Sequence, residues 1–109
     1  MQIIEGAGAF TDPGSESNHY VEHFRSADLS VGTYSIPVVG TDDQTPHSED
    51  EIYVVQSGRA TIVTPSGTAA VRPGSVIFVP AGEDHRFVDV SEDLALVVLF
   101  APPYESRRV

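Results

Sequence analysis

Short runs of apolar and β-branched residues follow one another along the chain, each cut off by turn formers. Tyr20–Ala27 and Leu29–Ile36 precede a polar loop from Pro37 to Asp50. Glu51–Ser57 leads to Gly58, and Arg59–Thr64 to Pro65-Ser66-Gly67. Thr68–Arg72 stops at Pro73-Gly74, Ser75–Val79 at Pro80-Ala81-Gly82, and His85–Val90 at Ser91-Glu92-Asp93, before a last run, Leu94–Phe100. Val, Ile, Thr, Tyr and Phe are frequent inside the runs, and Pro and most Gly sit between them, which is the composition of strands. No window longer than two turns sustains a helical period. Eight short strands punctuated in this way predict an all-β sandwich or jelly-roll barrel. Residues 5–18 are rich in turn formers and carry no period. The predicted organisation is therefore an N-terminal arm or loop over 1–18, a barrel over 19–104 and a C-terminal tail over 105–109.

With 109 residues the chain can fill one modest core and no second one. Its 40% hydrophobic and 20% charged residues describe a globular chain. Charge narrows the partners. Sixteen acids against six basic residues, all of them Arg, give a net charge of −10 with no basic stripe. Nucleic-acid binding needs cations that replace phosphate counterions, so no nucleic-acid partner is expected, nor an anionic membrane surface. The apolar stretch Leu94–Pro103 is too short to cross a bilayer. Met1-Gln-Ile-Ile-Glu lacks the basic-then-apolar pattern of a secretory leader, so the cytoplasm is the default expectation. Without cysteine there is no disulfide, thiolate nucleophile or sulfur-ligated zinc, and without Lys no Schiff base. Chemistry falls to His, carboxylates, Tyr, Ser, Thr and whatever metal these hold.

Two segments carry that chemistry. In Pro46-His47-Ser48-Glu49-Asp50-Glu51-Ile52-Tyr53-Val54-Val55 a His ends the polar loop and a Glu opens an apolar strand. Alternation puts Glu51, Tyr53 and Val55 on one face, Ile52 and Val54 on the other. A carboxylate on the Val55 face points into a barrel, where its charge is costly unless paired, and a metal cation is the economical partner. In the second segment a strand ends in Pro80-Ala81-Gly82 and the next opens with His85, which shares a face with Phe87 and not with Arg86. His47, Glu51 and His85, from adjacent antiparallel strands, make a three-point N/O donor set that leaves coordination positions open.

These segments resemble the two motifs of the cupin superfamily, G-x5-H-x-H-x3/4-E-x6-G and G-x5-P-x-G-x2-H-x3-N. The second is matched from Gly74 through Pro80 and Gly82 to His85, with Asp89 where Asn is usual. The first is matched from His47 through Glu51 to Gly58, but Thr45 stands where the first His belongs. The resemblance covers roughly Leu29 to Pro102. It implies the double-stranded β-helix (jelly-roll) barrel of the cupins and a divalent metal: Fe, Mn, Zn, Ni or Cu. Gln44, Asp42, Asp43 or water would then supply the fourth ligand in place of the missing His.

The remaining candidates read more plainly. Tyr53, Phe87 and Tyr34 are candidate substrate-pocket wall, and core filling explains them as well. His19 and His23, four apart, can face the barrel mouth, though an exposed or interfacial place is simpler. Arg59, after a Gly in a hairpin, reads as solvated, and Glu49-Asp50 as a solvated loop edge. The resemblance implies an enzyme of dioxygenase, isomerase/cyclase or lyase type acting on a small molecule. The alternative is a non-catalytic small-molecule-binding module; a storage role would call for two barrels. Small cupins commonly form homodimers, and the arm before Asn18 offers a strand for a neighbour's sheet edge.

Overall fold

The computed structural model describes residues 1–106, and none of these is helical. Six strands make the molecule: β1 (His19–Arg25), β2 (Ser30–Ile36), β3 (Asp50–Thr64), β4 (Gly67–Val71), β5 (Val76–Val79) and β6 (Arg86–Ala101). All pairings are antiparallel, in the order β1-β2-β6-β3-β4, and β5 pairs with β3 beside its first half. The chain is the all-β barrel expected for a cupin.

Six strands stand where eight runs were expected, because two expected turns are bends within continuous strands. Gly58 does not end β3. It holds a φ of +88°, and the β3–β6 register shifts between Val55 and Ser57, Ser57 and Arg59, and Arg59 and Thr61. A Cβ at Gly58 would stand 2.2 Å from the Asp93 carbonyl oxygen, so two backbones meet there at a distance only glycine permits. Opposite the bend, Ser91-Glu92-Asp93 stays in β6, with Glu92 partnering Arg59 across the ladder. Arg59 is exposed and ion-paired to Glu92 at 2.9 Å, within a strand and not in a hairpin.

Side chains from the inner faces of β2, β3 and β6 form the core, among them Ile36, Tyr53, Val55, Leu94, Leu96 and Val98. β2 is buried on both faces. Its inner face carries Tyr34; its outer face is covered by the arm, whose Gly8 and Thr11 amides donate to Thr33 Oγ1 at 2.8 Å and Ser35 Oγ at 3.1 Å.

Candidate metal centre and its cavity

The loop between β2 and β3 is held by one carboxylate. Asp42 Oδ1 accepts from the Tyr34 hydroxyl at 2.8 Å and from the Gln44 amide at 3.3 Å. Asp42 Oδ2 accepts from the Phe87 backbone amide at 2.8 Å and from Gln44 Nε2 at 2.9 Å. Gln44 Nε2 also donates to the Tyr53 hydroxyl at 2.8 Å. Both protons of the side-chain amide are thus engaged, and Oε1 is the edge that faces His47, 3.1 Å from its Nε2.

Around that point stand His47, Glu51 and His85, all buried, with one ligand atom of each within 4.8 Å of the others. Glu51 is the second residue of β3 and is buried; His85 precedes β6 at the end of the loop from β5. The His85 ring is oriented from behind. Its Nδ1 donates to the Glu83 carbonyl at 2.8 Å; a carbonyl can only accept, so in the neutral ring Nε2 keeps its lone pair. That nitrogen lies 3.1 Å from the Tyr53 hydroxyl and 3.0 Å from Glu51 Oε1. That contact brings an imidazole against a carboxylate, and among the described residues no hydrogen bond satisfies this buried oxygen.

Electrostatics follow from the burial. For His85, desolvation disfavours the charged ring, but the Glu51 carboxylate, the Glu83 carbonyl and Asp42 outweigh it and raise the pKa. Burial, with Glu51 and Asp42, pushes the Tyr53 phenol well above its ordinary value, so it stays protonated and acts as a donor. Burial and Asp42 do the same for Tyr34.

A divalent ion fits these residues. Donors about 2.1 Å from one ion and at right angles to each other stand about 3.0 Å apart, as the His85 nitrogen and Glu51 oxygen do. The donor set combines two imidazoles and a carboxylate, and among the described residues no hydrogen bond satisfies the carboxylate oxygen Glu51 Oε1.

Beside the donors lies a cavity of about 200 Å³, lined by Gln44, His47 and Glu51 together with Tyr20, Tyr34 and Tyr104. Tyr20 meets Tyr34 and Tyr104 edge-on at 6.4 and 5.7 Å, and Tyr104 stacks on Phe100 at 4.7 Å. Of the three expected wall residues, Tyr34 lines this cavity. Tyr53 and Phe87 do not: they pack edge to face at 5.0 Å behind His85. His19 and His23 also lie off it. Tyr20, between them, pairs with Tyr34 and faces in, whereas His23 Nε2 contacts Thr33 Oγ1 at 2.6 Å on the outer side. Alternation along β1 already implied an inward Tyr20 once either His faced outward. Tyr104 follows the last strand, where no periodicity could point to it. Glu49, expected as a solvated edge, is instead buried, accepting from the Ser48 hydroxyl at 2.5 Å and the Glu105 amide at 3.2 Å.

Comparison with known proteins agrees with this architecture. A family model described as a cupin domain matches residues 32–102. An uncharacterized protein of Streptomyces coelicolor is 46% identical over 84 residues, spanning 77% of this chain and 80% of that protein. An RmlC-like cupin from Desulfovibrio desulfuricans superposes with a TM-score of 0.76 at 15% identity, covering 94% of this chain and 98% of that one. The EutQ protein of Clostridium difficile superposes with a TM-score of 0.73 at 21% identity, covering 88% and 71%. With the barrel, the motif residues and the family match in agreement, this chain belongs to the cupin family.

Proposed function

We propose that His47, Glu51 and His85, with Gln44 Oε1 as fourth ligand, hold a divalent metal, and that the protein is a metal-dependent enzyme acting on a small molecule in the adjoining cavity. The observation that carries this reading is the convergence of three buried donors within 4.8 Å, one of them a carboxylate oxygen without a hydrogen bond among the described residues. Such an ion supplies a Lewis acid for a bound carbonyl or hydroxyl, or an oxygen-binding centre if it is iron. The chain's own residues do the rest. The Glu83 carbonyl orients His85, and Asp42 orients Gln44. Tyr20 offers a buried hydroxyl without a partner among the described residues, and burial raises its pKa, so it is a donor for a ligand oxygen. A homodimer and a cytoplasmic location complete the reading.

Elemental analysis of protein purified without chelator tests it, followed by turnover assays with small carbonyl and hydroxyl compounds. About one equivalent of a transition metal, lost in His85→Ala, is expected. Protein carrying no stoichiometric metal at neutral pH overturns the metal reading. Ligand binding without turnover leaves a binding module in place of an enzyme.

A further inference from the structure

The cavity beside the donors has two unlike walls. Gln44, His47 and Glu51 form one, and the rings of Tyr20, Tyr34 and Tyr104 form the other. These rings are not stacked on one another. Tyr20 is inclined at 71° to Tyr34 and at 65° to Tyr104, while Phe100 backs Tyr104 at 29°. Each ring is held in place. Tyr34 donates to Asp42, and Tyr20 lies across Gly32, where any Cβ would collide with the phenol. The Tyr104 amide donates to Ser30 Oγ at 3.0 Å, and Arg25 donates to the Tyr104 carbonyl.

The fixed charges around this space have one sign. Asp43 lines it together with Glu51, and Asp42 stands behind Gln44 and Tyr34. Among the described residues no arginine lines it, and the chain has no lysine. Arg25 is engaged by Glu22 and by the Tyr104 carbonyl. A carboxylate or phosphate entering here meets no guanidinium or ammonium, whereas a cation meets carboxylates and the negative faces of aromatic rings. We propose that the cavity selects a small organic cation, with an alkylated ammonium head against Tyr20, Tyr34 and Tyr104 and a hydroxyl or carbonyl oxygen turned to the wall of Gln44, His47 and Glu51. This names the substrate class of the site already described, and it rests on the reading of that cavity as the ligand site. Its volume of about 200 Å³ is the share of roughly seven waters, so the cation has about that many non-hydrogen atoms.

Isothermal titration calorimetry on the full chain, both metal-loaded and chelator-treated, compares choline with 3,3-dimethylbutan-1-ol, which has the same shape and no charge. Choline is expected to bind about 10-fold or more tighter in both forms, the gain of a desolvated cation on aromatic faces. In chelator-treated protein the carboxylate 3,3-dimethylbutanoate should bind more weakly than the alcohol. Tyr104→Leu should bring the choline-to-alcohol ratio close to one while Tyr104→Phe keeps it; lost packing alone weakens both ligands alike. If Tyr104→Leu fails to fold, Asp43→Asn, at an exposed residue, should weaken choline and leave the alcohol unchanged. Equal affinities in the wild type, binding of neither compound, or a preference for the alcohol or the carboxylate overturns the proposal. So does a ratio that survives in folded Tyr104→Leu. A choline preference in protein that carries no metal upholds the cation site and overturns only the metal reading, so the two fail separately.

Discussion

Asp42 accepts from the side-chain amide of Gln44 at 2.9 Å, and this bond decides which edge of the amide faces His47. Asp42→Asn removes half of the acceptor that enforces the orientation. Metal affinity should fall by about 10- to 100-fold, the usual cost of losing an orienting partner. Gln44→Ala should fall at least as far. Competition titration with a chromogenic chelator measures both, and unchanged affinity in Gln44→Ala would remove Gln44 from the ligand set.

Truncating either imidazole goes further. His47→Ala and His85→Ala should each reduce metal content to roughly one tenth of wild type or less, because what remains is one imidazole, one carboxylate and a neutral amide oxygen. Far-UV circular dichroism should show the same β spectrum. Full occupancy in either variant would refute the assignment of that residue.

Acid and metal act on His85 in opposite directions. In metal-free protein its pKa is raised above the usual value of about 6.5. The stability contributed by the charged ring is fully present below about pH 6.5 and is lost as pH rises through the raised value. The melting temperature of chelator-treated protein should therefore fall from pH 6 toward alkaline pH, and His85→Gln should flatten the slope. In metal-loaded protein, protons compete with the ion, so stability should instead fall on acidification. Matching slopes in the two forms would contradict this.

The bend in β3 has its own test. Gly58→Ala forces a Cβ to within 2.2 Å of backbone at Asp93 and a side-chain-bearing residue into a φ of +88°. A loss of about 2–4 kcal/mol in urea unfolding is expected, combining backbone strain with the steric clash.

The convergence of His47, Glu51 and His85 was legible in the sequence because alternation fixes which side of a strand a residue occupies, and the motif spacings place both histidines beside it. Strand number was less legible. A glycine that bends a continuous ladder and one that ends a strand look alike without the partner strand, and only β6 shows that Gly58 bends. The cavity wall was the least legible part. Tyr20 and Tyr104 come from opposite ends of the chain and meet through tertiary packing, while Tyr53 and Phe87, on the correct face, lie too deep to line it. Glu49 was misread because an acidic run gives no sign that one member turns inward.

Along β3, Glu51 and Tyr53 point inward while Ile52 and Val54 point outward, so inner and outer surfaces share one short stretch of backbone. Slipping this stretch by a single residue against β6 would swap the two sets, leaving the carboxylate in solvent and isoleucine among the imidazoles. Length changes in descendants of this chain are therefore confined to its loops and arm, and the number of residues between Glu51 and Gly58 is fixed.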